Sequence, residues 1–229
     1  LVSQILGRLG NVAFALGLET DAEEYLTMAL SGARALENLA LVATILNDRG
    51  NVLASQKRYS EALGAFTEST VLGDAIGHHS LAVTALINAA WSSLLEGQLT
   101  ASKDRLDLAF VQVNVLDDSH EKSQKLLSIG LAYDRLRQLL QPANLKMTGQ
   151  SAEAFRSSAE MAHRIKDHRT ASYGWGHLGH LYEEEGRIAE ALELTRRAIH
   201  AAQQSVMPQS LYQWEWQAGR LLRVQGKRD

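Results

Sequence analysis

The chain has 229 residues and a formal net charge of −3, with 21% charged residues, 45% hydrophobic residues, two prolines and no cysteine. That balance excludes an extended nucleic-acid surface, which needs clustered Lys and Arg, and the missing cysteine excludes disulfides while leaving the redox compartment open. No apolar run reaches the roughly eighteen residues a membrane span requires.

Small and apolar residues recur every forty positions along the chain. Gly10, Gly50, Ala90 and Gly130 keep this step, as do Ala22, Ala62 and Ser102. Leu26, Phe66 and Leu106 follow it, then Ala29, Ser69 and Ala109, and finally Leu36, Ile76 and Leu116. A fixed period of this size means stacked units, none of which buries its apolar face alone. The first unit spans roughly 1–39, with Leu6, Leu9 and Ala13 at helical spacing in one segment and Ala22, Leu26 and Ala29 in the next. Each unit is therefore a pair of antiparallel helices. The second spans 40–79 and the third 80–119. The fourth, 120–168, departs from the period, because Gly130 and Gly179 are forty-nine residues apart. Its second helix regains register at Ser151, Phe155, Ser158 and Ile165, which puts nine extra residues near 139–150. The fifth spans 169–208, and a partial unit with a single helix runs from 209 to 229.

This reading gives an all-α fold, an α-solenoid of about 11 helices in one array. Gly17, Gly97, Gly186 and Gly226 fall where a first helix should stop and a left-handed residue is wanted. Gly10, Gly50, Ala90, Gly130, Gly179 and Gly219 leave room for the partner helix, with the small Ala22, Ala62, Ser102 and Ala191 facing them. Pro142 and Pro208 fall in the expected connections. The chain starts at Leu1 and stops in a helix without a partner, which reads as part of a larger protein whose uncapped ends invite self-association.

Residues 175–182 read WGHLGHLY. Through Trp175, Leu178, Gly179 and Tyr182 this resembles the first helix of a tetratricopeptide repeat, with Ala191, Thr195 and Ala198 following as its second helix and the Ala62 and Phe66 pair matching in the second unit. The forty-residue period and the lack of a terminal proline resemble the longer subclass of that family. Residues 169–227 further resemble the last such units before the caspase-like domain of bacterial CHAT proteins. The resemblance implies that an effector domain follows in the parent chain. Its catalytic His and Cys would lie there, so no catalytic residue is expected in this chain.

In that family the first helices line a concave groove, and the residue after the packing glycine points into it. The matching residues here are Asn11, Asn51, Trp91, Leu131, His180 and Arg220. The resemblance implies that Asn11 and Asn51 hydrogen-bond a bound peptide backbone, and Asn88, one turn from Trp91, matches a further family asparagine. Ile87, Trp91, Leu94 and Leu95 from the third unit, with Leu127 and Leu131 from the fourth, are expected to form an apolar patch between polar ends, which suits an amphipathic helix or apolar peptide. Two alternatives stay open: some of these residues are ordinary core, or the insertion carrying Leu139, Leu140, Leu145 and Met147 folds over them.

His177 and His180 are three apart, with Glu183 and Glu184 a turn further on. That spacing suits metal ligands, but nothing completes a site, so neither a metal nor a cofactor is expected. His78, His79 and His168 fall between helices, where they satisfy backbone groups at helix ends. The basic Arg220, Arg223, Lys227 and Arg228 read as a solvated helix face. Trp214 and Trp216 read either as contacts for end-to-end assembly or as packing for an absent helix. The expected function is that of a non-catalytic protein-interaction module, a scaffold or sensor that binds a protein or peptide and controls a C-terminal effector. Neither nucleic acid nor membrane is a partner, and the cytoplasm is favoured over the periplasm. The alternatives are a small-molecule-sensing or self-assembling regulatory solenoid and a metal-dependent enzyme.

Overall fold

The computed structural model describes residues 1–140, 145–205 and 208–226, and only the backbone for 145–148 and 208. The described residues form eleven helices and no strand. They fall into two compact units, 1–113 and 114–229. The first holds α1 (Val2–Ala15), α2 (Glu19–Ala35), α3 (Leu39–Ser55), α4 (Tyr59–Ala75), α5 (His79–Leu95) and α6 (Leu99–Val113). The second holds α7 (His120–Leu140), α8 (Leu145–Arg164), α9 (His168–Glu184), α10 (Ile188–Gln204) and α11 (Pro208–Val224). No helix among the described residues is long and apolar enough to cross a membrane.

Left-handed residues end five helices of the first unit at twenty-residue steps and recur in the second at steps of twenty and forty. Gly17, Gly77, Gly97, Gly186 and Gly226 have positive φ, and so do Glu37, Lys57 and Lys166. Except at Gly226, whose following residue lies outside those described, the N–H of the following residue closes back on the helix, as in Leu18 N to Ala13 O at 2.9 Å, Asn38 N to Ala33 O at 3.1 Å and Arg58 N to Leu53 O at 2.9 Å. This satisfies carbonyls that the helix end would leave open. The three non-glycines each carry roughly 1–2 kcal/mol of backbone cost, offset by the packing on either side. The next residue often caps the following helix. Asn38 accepts from the N–H of Leu41 at 3.1 Å, His78 Nδ1 from that of Leu81 at 3.3 Å, and Asp167 from that of Thr170 at 3.1 Å. His78 thus takes the helix-end role expected of it.

Within each unit a helix packs on its sequence neighbours, and the odd-numbered helices also touch side by side: α1 with α3, α3 with α5, α7 with α9 and α9 with α11. The packing glycines explain how closely the pairs approach. A Cβ at Gly10 would lie 2.6 Å from Leu26, at Gly50 2.4 Å from the Phe66 ring, at Gly130 2.6 Å from the Phe155 ring, and at Gly179 3.0 Å from Thr195 Oγ1. At Ala90 the pair is instead tied by a hydrogen bond from the buried Ser102 hydroxyl to the Ala90 carbonyl, 2.9 Å. Gly219 departs from expectation, since nothing lies within 4 Å of a Cβ there. The core of the first unit gathers Leu26, Ile45, Leu46, Val52, Leu53 and Phe66.

In the second unit α7 and α8 are 21 and 20 residues long against 17 for α9 and α10. The extra residues of the fourth repeat thus go at least partly into longer helices. Residues 141–144 and the side chains of Leu145 and Met147, named above as a cover for the apolar patch, lie outside the described residues. The core of this unit closes on Trp214, which is 1% exposed. Its indole lies where a Cβ on Gly176 would come within 2.4 Å, and its Nε1 donates to Ser172 Oγ at 2.9 Å. Trp214 therefore packs, as the second of its two readings has it, but against α9 rather than an absent helix, and it is not an end-to-end contact. His177 lies beside it, stacked on Phe155 with ring centres 5.3 Å apart and meeting the Trp214 edge at 5.5 Å. Burial in this aromatic box lowers its pKa from 6.5 to about 4, with Asp134 opposing the shift and His180 adding to it.

Two predictions follow the packing. Gly50→Ala should destabilise the chain by about 1–3 kcal/mol, because the Phe66 ring must move, whereas Gly64→Ala, with open space around it, should stabilise by about 0.5–1 kcal/mol through helix propensity. Equilibrium urea unfolding distinguishes the two signs. Because the His177 pKa is lower folded than unfolded, the unfolded chain binds the proton first as pH falls. Stability present above pH 6.5 is then lost towards pH 4, by about 3 kcal/mol in full. Urea midpoints at pH 7.5 and 4.5 should differ less for His177→Phe than for the unaltered chain; an equal difference in both refutes the assignment.

Candidate functional site

In the first unit the expected groove asparagines form a ladder across α1, α3 and α5. Asn11 Nδ2 donates to Asp48 Oδ2 at 2.8 Å, while Asn88 Nδ2 donates to Asn47 Oδ1 at 3.0 Å and Asn51 Oδ1 at 3.1 Å. Burial raises the pKa of Asp48 against the hydrogen bonds from Asn11 and Asn47 that stabilise its charge. Asn47 and Asp48 were not singled out in the sequence. They precede Asn51 by one helical turn, and that spacing was the available signal.

The apolar residues of α5 divide by helical angle. Ile87 and Leu94 project within about 20° of each other and Leu95 about 80° away, at 3.6 residues per turn. Accordingly Ile87 and Leu94 are buried at 5% and 4% exposure, Trp91 and Asn88 are half-buried, and Leu95 is exposed. The expectation that Ile87 and Leu94 face a groove is corrected, as both are core.

In the second unit α7, α9 and α11 surround an open cavity of about 530 Å³, lined by Leu131, His177, His180, Tyr212, Trp216 and Arg220 among others. Leu131 and Leu127 are half-buried and pack on the core beneath it, while Tyr212 and Trp216 are exposed. Charged groups run across the three helices. Arg220 makes two bonds to the Glu183 carboxylate, 3.1 and 2.9 Å. His180 lies 3.6 Å from both Glu183 and Glu184. The buried Arg137 bridges Asp134 and Glu184. Burial opposes the charge of Glu183, but its bonds from Arg220 and His180 prevail and hold its pKa below the ordinary value.

This arrangement can take up an apolar or aromatic side chain between polar contacts. Among the described residues no three His, Cys, Asp or Glu side chains are placed to hold a metal ion. His177 and His180 part company: the first is enclosed by aromatic rings and the second faces two carboxylates. Tyr212 and Trp216 were not read as groove residues, although Trp216 and Arg220 keep the four-residue spacing of Leu127 and Leu131.

Residues 1–70 match the family model for the tetratricopeptide repeat, and no curated protein matches the sequence. Among solved structures, BtubC (BKLC) from P. vanneervenii is similar at 14% identity and a TM-score of 0.73, over 90% of this chain and 83% of that one. A Rap protein in complex with Competence and Sporulation Factor is similar at 14% identity and a TM-score of 0.67, over 93% of this chain and 57% of that one. A Podosopora anserina protein assigned as a kinesin light chain, with nearly identical TPR-like repeats, is similar at 13% identity and a TM-score of 0.66, over 91% and 99%. At these identities the likeness is one of fold. The family match thus covers residues 1–70, and the all-helical fold of the chain is shared with TPR-like repeat structures.

Proposed function

We propose that the chain is a protein-interaction module that holds a peptide segment on the odd-helix face of its second unit. The observation that carries this reading is the open cavity lined by exposed Tyr212 and Trp216 together with Leu131, His180 and Arg220. Aromatic and arginine anchors around an apolar floor are the usual energetic centre of an interface. A ladder of fixed charges beside it gives register to a bound segment. Asn11, Asn51, Asn88, Trp91 and Leu95 form a second contact surface on the first unit, with amides for a peptide backbone. That a Rap protein of similar fold forms a complex with Competence and Sporulation Factor supports a binding role.

Tetratricopeptide repeats generally serve as non-catalytic scaffolds, and this chain is read in the same way. Helices of 17 residues turning at twenty-residue steps support the long-repeat subclass. Control of a caspase-like effector rests on the resemblance of residues 169–227 alone.

A second reading, self-association, is favoured by α1, where Val2, Ile5, Leu9, Val12 and Leu16 form an exposed apolar stripe at helical spacing. Sedimentation velocity should show concentration-dependent dimers that Ile5→Glu with Val12→Glu abolishes; a monomer at all concentrations refutes this reading.

For the main reading, selection of a random peptide library on the whole chain should enrich binders. Trp216→Ala should weaken them by roughly thirtyfold, the effect of losing about 2 kcal/mol at a central anchor, and Leu131→Glu should do likewise with helical content unchanged. No enrichment, or peptides that bind both variants as tightly as the original chain, overturns the assignment.

A further inference from the structure

The second unit holds another cavity. It has a volume of about 420 Å³ and lies between α8, α9 and α10. Its floor is apolar, formed by Trp175 and Ala201 at 8% and 7% exposure. Its walls are almost entirely hydrogen-bond donors. His163 comes from α8, His168 from α9, and Arg196, Arg197 and His200 from α10. The helix period brings the α10 groups together, since Glu193, Arg197 and Ala201 are four residues apart, as are Arg196 and His200.

The charge balance in this cavity differs from that of the whole chain, which is −3 overall. Its one carboxylate, Glu193, already accepts from Arg197 Nε at 3.3 Å, and the Arg197 guanidinium lies 5.4 Å from the centre of the Trp175 ring. Arg196, His163, His168 and His200 take part in no ion pair or side-chain hydrogen bond among the described residues. Arg58 and Arg187, by contrast, each pair with a carboxylate one turn on, Glu61 and Glu190. Arg196 has Glu193 one turn before it, but that carboxylate bonds Arg197, and Arg196 lines the cavity without an ion pair among the described residues. A guanidinium is a planar fork of donors that matches phosphate oxygens in pairs, and imidazole supplies N–H donors from the other two helices. The one carboxylate is already paired with Arg197. The volume falls in the range of small-molecule pockets, roughly 300–1,000 Å³, which favours a ligand larger than a single ion.

We propose that the cavity between α8, α9 and α10 is an anion site that takes the phosphoanhydride group of a small molecule, with Arg196 and His200 as its main donors and His163 and His168 closing it from the neighbouring helices. The site is separate in residues from the peptide cavity, so the two readings stand or fall independently.

The test is calorimetric titration of the whole chain at low salt with inorganic pyrophosphate and, in a second arm, with ADP. Binding at one equivalent with a submillimolar Kd is expected for at least one probe. The double substitution Arg196→Ala with His200→Ala, at two exposed positions, should weaken it by about tenfold or more, while Arg196→Lys should lie between because it loses the paired contact. Helical content by circular dichroism confirms that the variants fold. Tighter binding of ADP than of pyrophosphate assigns the nucleoside to the Trp175 floor, and equal binding assigns the phosphates alone; both support the site. Neither probe binding, or binding undiminished by the double substitution, overturns it. Trp216→Ala should leave the titration unchanged.

Discussion

The close crossing of the two helices in each pair depends on a single missing or minimal side chain. Gly10, Gly50, Gly130 and Gly179 each stand where one more carbon would collide with the partner helix at 3.0 Å or less. Real Cβ contacts are essentially never that short below 3.0 Å, so the large residue opposite, Leu26, Phe66 or Phe155, is fully buried only because the glycine yields its volume. Interiors packed at crystal-like density leave no slack for such a change. Ala90 meets the same constraint by another route, through a hydroxyl of Ser102 that bonds its carbonyl.

Once the pairs cross closely, their two sides acquire different chemistry. The odd-numbered helices touch laterally, so polar residues on them reach across from one to the next. The asparagine ladder of the first unit and the Arg137–Glu184 and Arg220–Glu183 ion pairs of the second are the result. The cleft over Trp175 between α8, α9 and α10 instead gathers two arginines and three histidines around a single carboxylate, Glu193. A single helix pair thus presents a mixed apolar and charged surface on one side and a cationic hollow on the other.

How much of this was legible in the sequence differs by feature. The helix pairs could be read because both the forty-residue period and the 3.6-residue period mark them repeatedly. The left-handed turns were legible only in part. Gly17, Gly97, Gly186 and Gly226 announce themselves, but Glu37, Lys57 and Lys166 adopt the same conformation because the helices on either side dictate it, and no residue type signals that. The division of α5 was hidden for a different reason. Ile87, Trp91 and Leu94 are all apolar, and only a rotation of about 40–60° separates a buried from a half-exposed direction. Trp214 was misplaced because its binding slot is Gly176, a residue two helices back whose role depends on a contact that local pattern does not encode. The cavity beside it followed from the same register, with Trp216 and Arg220 at positions already marked in α7 and α9.

The lengthening of α7 and α8 has a consequence for how such a protein changes over time. Each is about one helical turn longer than α9, and the added turns lie beyond the Gly130 and Phe155 contact. Growth in whole turns at that end raises the hairpin like a taller stave in a barrel, leaving the faces below it in phase. A lineage can therefore vary the height of one repeat, and the surface it displays, without renegotiating the contacts of any other.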